Sequence, residues 1–274
     1  MSSITVLGAS GFIGSVLVKR LQELDREFLA PGRDEKLAGR KLGDIIYCIG
    51  LTADFRERPF ETVDAHICHL LPILRDCDFD SLLYLSSARI YQGHGTLARE
   101  EDSLQVAPSN QDYLYNISKV MGESLSLAAG KRTRVVRLSN VYGEDYTSGN
   151  FLSTIIRDAI STPMVTVHNA PDAEKDYVSI HDVVDGLIRI AGEGRQSIYN
   201  LASGINVSNL RLTQKISELT GCEITFDPPA AGISFPSINI DRMRSEFGFR
   251  PRNLLDDLGN LIESYRKHRE EQGA

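Results

Sequence analysis

The stretch "YLYNISKVMGE", residues 113–123, sets Tyr115 and Lys119 four positions apart. On a helix that spacing puts both side chains on one face. An ammonium beside a phenol favours the phenolate and moves its pKa towards a range useful for proton transfer. A second candidate lies upstream. Ser86 and Ser87 close the apolar run in "LLYLSSARIYQG", which reads as a buried strand. At the carboxyl edge of a parallel sheet, a serine hydroxyl can bond a substrate oxygen while the tyrosine moves the proton. A third lies near the N-terminus. In "TVLGASGFIGSVL", Gly8, Gly11 and Gly14 recur every three residues. Glycine there lets the chain turn sharply and lets a pyrophosphate approach the backbone. Each feature also has a plainer reading: a half-buried tyrosine, a solvated lysine, a turn-capping serine, a structural glycine turn.

The elements around them say how they would be positioned. Residues 4–7 form a short apolar run before the glycines, and Ile13, Val16, Leu17 and Leu21 follow at helical spacing. The glycines thus fall where a strand passes into a helix, at an N-terminus with free N–H groups and a positive dipole end. Further strands are expected at 26–30, 44–50, 81–86 and 134–138, with helices over 66–74 and 112–129. Strands alternating with helices predict an α/β fold, a Rossmann-like doubly wound parallel sheet covered on both faces. Beyond about residue 148 the punctuation thickens with Gly, Pro, Asn and Asp. A strand at 164–167 and helices at 181–191, 208–220 and 254–269 suggest a smaller mixed C-terminal lobe. The division expected is a nucleotide-binding domain over 1–148 and a substrate lobe over 149–274, with 174–192 returning to the first domain. The crevice over the strand ends is the default ligand site.

Composition narrows the classes. The chain has 274 residues, 42% hydrophobic and 24% charged, with a net charge of −7. That is an ordinary globular composition with no global basic footprint, so no nucleic-acid partner is read. No apolar stretch reaches membrane-spanning length, and no membrane partner is read. The four cysteines are scattered, none in C-x-x-C. With no basic segment of a signal peptide in residues 1–10, they read as reduced thiols of a cytoplasmic protein. His66, Cys68 and His69 lie close together, but their spacing fits no metal-ligand pattern, and no metal is expected.

The ordered set "GASGFIG", "YLSSARIY", "YNISK", "RLSNVYG", "KDYVSIHDVV" and "YNLASG" runs nearly end to end. In it the chain resembles the extended short-chain dehydrogenases/reductases, the superfamily of nucleotide-sugar epimerases, dehydratases and ketoreductases. Each motif is weak, and their order is specific. The resemblance implies a hydride carried by a nicotinamide cofactor, with Tyr115 as acid/base. Lys119 would hold the nicotinamide ribose and tune Tyr115, and Ser87 would bond the reacting oxygen. Gly8, Ser10, Gly11, Phe12, Ile13 and Gly14 would form the cofactor turn, and Asn140 would face the substrate.

Several departures from the family bear on function. The acidic residue that usually ends the second strand is missing. "FLAPGRDEK" has Gly32 there and Arg33 next, which favours the 2′-phosphate of NADP, with NAD admitted by Asp34. Residues 30–44 are too few for the usual helix, strand and turn, so one edge strand is expected to be absent. Lys175 stands where family members place a phosphate-gripping arginine. "FDPPAAGISF" offers no second one, leaving Arg242 or Arg244 as candidates. Dehydratases follow their serine or threonine region with Asp-Glu, whereas Ala88 and Arg89 stand here, which disfavours dehydration. The expected activity is therefore a ketoreductase or 4-epimerase at a secondary alcohol or ketone of a sugar-like, nucleotide-linked substrate, in a homodimer. The alternatives are a non-catalytic NADP-binding sensor or scaffold, and a reductase of a non-nucleotide metabolite.

Overall fold

The computed structural model describes residues 3–51, 54–130, 132–227 and 235–273. Its centre is a six-stranded parallel sheet. The strands are β1 (Ile4–Leu7), β2 (Phe28–Leu29), β3 (Asp44–Tyr47), β4 (Ser81–Ser87), β6 (Thr133–Leu138) and β10 (Ile198–Leu201), in spatial order β10-β6-β4-β3-β1-β2. Between β4 and β6 lies the two-residue β5 (Leu97–Ala98). All four residues of β1 are buried, as are the first six of β4. A strand buried on both faces reads as an unbroken apolar run, which is why these were legible without alternation.

Helices cover both faces. On one side α1 (Phe12–Glu23) and α6 (Ile180–Glu193) bury Leu17, Leu21, Val183, Val184 and Leu187 against Val6, Ile46 and Leu83. On the other, α3 (Leu70–Asp76) buries Leu70, Ile73 and Leu74 against Ile45, Tyr47, Leu82 and Tyr84. The long helix α4 (Tyr113–Ala128) lies on this face too, with Leu125 packed against the same cluster.

The segment expected to be one helix over 66–74 is two pieces. Following α2 (Pro59–Val63), a wide π-turn runs Asp64–Cys68, closed by His69 N–H donating to Asp64 O at 3.0 Å. Only then does α3 begin. Pro72 has no N–H to give Cys68 O, so the ordinary ladder cannot run through, and the slack is taken up by the wider turn. The strands expected at 26–30 and 44–50 are shorter, at 28–29 and 44–47.

The edge of the sheet is as the length argument predicts. Among the described residues nothing pairs outside β2, and between residues 30 and 44 there is only an isolated bridge from Lys41 to Asp78.

The remaining elements build a second core. α5 (Phe151–Ala159), α7 (Asn209–Thr220) and α9 (Leu254–Glu271) bury Leu152, Ile156, Leu212, Ile216, Leu258 and Ile262 together. The parallel pair β8 (Met164–Val167) and β12 (Glu223–Phe226) flanks them. A mixed three-stranded sheet of β7 (Asn140–Tyr142), β9 (Glu174–Ser179) and β11 (Asn206–Ser208) bridges the two cores. β13 (Ser237–Ile238) pairs with β5, and α8 (Asp241–Phe247) puts Met243 and Phe247 into the core of the large sheet. Among the described residues no helix is long and apolar enough to cross a membrane.

Candidate active site

The glycine turn is shaped by close contacts. Gly8 ends β1 with φ +86°, and a Cβ there would lie 2.9 Å from Ile49 N. A Cβ on Gly14 would lie 2.1 Å from Gly8 O. Both positions admit only hydrogen, because α1 starts directly against the end of β1. Gly11 caps α1 and donates its N–H to Gly8 O at 3.1 Å. The N-terminus of α1 thereby opens on a cleft of about 490 Å³, lined there by Gly11, Phe12 and Ile13. Gly8 and Gly14 shape the turn without lining the cleft, and Ser10 is exposed beside it.

The same cleft is lined by Ser87, Tyr115 and Lys119. Ser87 sits on the last position of β4, and Tyr115 and Lys119 on one face of α4. What brings helix to strand is Gly122. A Cβ there would lie 2.2 Å from Tyr84 Oη, so α4 can approach β4 only where a side chain is absent. Ser87 Oγ also accepts the N–H of Arg89 at 3.2 Å, so it caps the 3₁₀ turn that follows and faces the cleft as well.

Lys119 is 5% exposed and donates to Leu85 O at 2.8 Å. Burial brings its pKa down to about 7, against the opposing charge of Glu123. The proton is thus held less tightly in the folded protein than in the unfolded chain. Between about pH 7 and the ordinary 10.5 the unfolded chain binds the extra proton, so this group makes stability rise with pH across that window. Urea unfolding of nucleotide-free protein at about pH 7 and pH 9 should show that rise, and Lys119→Met should flatten it. Equal slopes in the two proteins would contradict the burial argument.

Tyr115 is buried, its ring 5.2 Å from that of Phe55 and edge-on to His66 at 5.2 Å. Ser118 Oγ donates to Tyr115 O at 2.9 Å and lies 2.8 Å from His66 Nδ1. Burial, with Lys119 nearby, pushes the His66 pKa down to about 2, so the ring is neutral. Sequence reasoning weighed His66 only as a metal ligand and missed this supporting contact. It had no local signal, because His66 and Ser118 stand 52 positions apart and meet only through tertiary packing. Among the described residues no group of three or more His, Cys, Asp or Glu could hold a metal.

The substrate end is only partly as expected. Asn140 and Lys175 line the cleft. Asn140 Nδ2 donates to Asp176 O at 2.8 Å, so its amide also ties β7 to β9. Lys175 lies over the Phe151 ring at 5.3 Å, and burial lowers its pKa. The Asp176 carboxylate accepts the N–H groups of Ser203 at 2.9 Å and Gly204 at 2.7 Å, which binds "YNLASG" to "KDYV". Arg242 is a correction. It donates to Ile198 O at 2.9 Å and pairs with Glu101 at 2.9 Å, because those acceptors hold it away from the cleft. Arg244 is exposed and does not line the cleft either. Most of "FDPPAAGISF", residues 228–234, lies outside the described residues. Arg33 is exposed in the loop after β2 and is not brought to the cleft. Arg89, two residues past Ser87, does line it.

A doubly wound parallel sheet with a glycine turn after β1 and a serine, tyrosine and lysine at its carboxyl edge defines a Rossmann-like fold of the extended short-chain dehydrogenase/reductase type. The sequence model of the NAD dependent epimerase/dehydratase family matches residues 44–202, and the chain belongs to that family. It is 26% identical over 317 aligned residues to dTDP-4-dehydro-6-deoxy-D-allose reductase of a Streptomyces species, covering 97% of each chain. It is 24% identical to UDP-glucose 4-epimerase of Mycolicibacterium smegmatis, covering 95% of this chain and 97% of that one. Among solved structures it is similar to MoeE5 in complex with UDP-glucose and NAD, with a TM-score of 0.83 and 21% identity over 97% of this chain and 99% of that one. RMD from Pseudomonas aeruginosa complexed with NADPH gives a TM-score of 0.79 at 20% identity, covering 98% of this chain and all of the other.

Proposed function

We propose that this protein is an NAD(P)-dependent ketoreductase acting at a secondary alcohol or ketone of a nucleotide-linked sugar. The observation that carries the reading is the convergence of Ser87, Tyr115 and Lys119 on one cleft with the N-terminus of α1. A pure binder has no need of that trio. The cradle fits a dinucleotide: hydrogen-only positions at Gly8 and Gly14 let the turn close under a pyrophosphate, and Gly11, Phe12 and Ile13 would hold it. When bound, the nicotinamide supplies or takes the hydride at the reacting carbon. Ser87 Oγ bonds the substrate oxygen and fixes its orientation. Tyr115 Oη gives that oxygen a proton in reduction and takes it in oxidation. The Lys119 ammonium, anchored on Leu85 O, stabilises the phenolate left behind and orients the ribose. Residues 1–148, with the segment near 174–192 returning to them, would hold the cofactor, and the rest of 149–274 the sugar nucleotide, with the protein acting as a cytoplasmic homodimer.

Epimerisation through a transient ketone uses the same trio, and a match to an epimerase spans nearly the whole chain. The two differ in cofactor retention. Mass spectrometry of the purified protein, followed by assay of NADPH consumption with a 4-keto sugar nucleotide, separates them. Multiple-turnover consumption supports the reductase. Tightly held NAD with no net consumption would replace it by the epimerase.

Gly32 and Arg33 favour NADPH, since a guanidinium at the ribose end pairs with a 2′-phosphate where a carboxylate would repel it. NADPH should bind about tenfold more tightly than NADH, and Arg33→Ala should remove that difference. Titration of both nucleotides onto the apo protein checks it, and an unchanged ratio in the variant would count against the assignment. With no strand outside β2 among the described residues, the adenine end should be open, and affinity should be modest for so complete a glycine turn.

A further inference from the structure

The cleft contains a cation that the proposed chemistry does not use. Arg89 lies on the 3₁₀ turn (Ala88–Tyr91) immediately after Ser87. Its Nε and Nη2 are buried and have no hydrogen-bond partner among the described residues. The guanidinium lies over the Phe55 ring at 5.2 Å, against an apolar surface. Asp112 is close enough to favour its charge, but already pairs with Arg56 at 2.5 Å, and Arg56 itself repels Arg89. Lys175 enters the same cleft from β9, close enough for the Arg89 charge to disfavour its own.

The acidic groups lining the cleft do not answer them. Asp176 is occupied by the N–H groups of Ser203, Gly204 and Ile205, and the Asp145 carboxylate is held by Ser148. Two partly buried cations without a shared carboxylate cost free energy in the empty protein. An entering anion removes that cost and gains charge-assisted hydrogen bonds in a place where water competes poorly.

We propose that Arg89 and Lys175 together bind an oxyanion of the substrate on the Ser87 side of the cleft. The inference rests on the sugar-nucleotide reading above. Arg89 supplies the second cation that neither Arg242 nor Arg244 brings to the cleft, and it does so from the β4 side, next to Ser87. The oxyanion has two chemical sources, the phosphates that link the sugar to its nucleoside or a carboxylate on the sugar itself.

The test is calorimetric titration of wild type, Arg89→Met and Arg89→Lys with UDP, dTDP, UDP-glucose and UDP-glucuronate, each with NADP present. Arg89→Met should weaken binding about 30-fold or more, and Arg89→Lys should recover part of it. Loss already seen with the bare nucleoside diphosphates assigns the anion to phosphate. Loss confined to UDP-glucuronate assigns it to a carboxylate. The thermal midpoint of ligand-free Arg89→Met should equal or exceed that of the wild type, because an unpaired buried cation has been removed, which a structural arginine would not show. Unchanged affinity of Arg89→Met for every ligand that the wild type binds overturns this inference and leaves the proposed function standing. Failure of the wild type to bind any of the four overturns both.

Discussion

Tyr115→Phe is expected to lower turnover by about 10² or more while leaving the fold and cofactor binding nearly intact. The substitution removes one oxygen and nothing else. The ring keeps its packing against Phe55 and its edge contact with His66. Ser118 still bonds the backbone carbonyl of residue 115, so α4 keeps its local geometry. Lys119 keeps its bond to Leu85 O. The only group lost is the one that would exchange a proton with the substrate oxygen. Steady-state kinetics on a 4-keto sugar nucleotide, with NADPH affinity measured in parallel, gives the answer. Near-wild-type turnover would remove Tyr115 from the mechanism, and a large loss of NADPH affinity would mean that it serves binding instead.

Glu123→Ala should be strongly destabilising. Glu123 lies four residues past Lys119 on α4 and is 4% exposed. Its carboxylate accepts from Arg137 Nε at 3.0 Å and Nη2 at 2.7 Å. Arg137, on β6 and 3% exposed, also donates to Tyr91 Oη at 2.7 Å and Glu100 O at 3.1 Å. Burial works against the guanidinium charge, and Glu123 more than offsets it, holding the Arg137 pKa above its usual value. Without the carboxylate a buried cation is left uncompensated, at a cost of about 3–5 kcal/mol. That corresponds to a fall of about 10 °C in the thermal midpoint for a chain of this size. The double variant Glu123→Met, Arg137→Met should recover most of the loss, since two apolar side chains carry no desolvation cost. Calorimetric scans of the single and double variants decide it. A single variant within 2 °C of wild type would show the pair to be dispensable. The site would feel the loss too, because this pair ties the helix carrying Tyr115 and Lys119 to the sheet and to the turn after Ser87.

Much of this was legible in the sequence because it is local. The apolar runs at 4–7, 44–47 and 81–87 are buried on both faces, and such runs announce themselves without context. The four-residue spacing of Tyr115 and Lys119 fixes their common face once a helix forms. The glycines at 8, 11 and 14 follow from one strand-to-helix turn. The missing edge strand followed from arithmetic, since residues 30–44 cannot supply a strand and its connections. The π-turn at Asp64–Cys68 was foreseeable from Pro72 but was not foreseen, because apolar periodicity does not register one missing N–H.

Other features were not legible, because they depend on which distant segments meet. The run "YNL" joins the large sheet only because β10 pairs with β6, across more than sixty residues of chain. Arg242 had the right charge to reach the substrate, and Glu101 and the carbonyl of Ile198 hold it elsewhere. Arg89 was read only as the absence of a dehydratase acid pair. That its Nε and Nη2 are buried with no partner among the described residues is a statement about packing, which residue order does not contain. The sequence by itself determined the sheet class, the glycine turn after β1 and the common helix face of Tyr115 and Lys119, because each depends on contacts within a few residues or on short-range periodicity. The tertiary structure alone decided which cations reach the cleft, since a long charged side chain goes to whichever partner the fold brings within its reach.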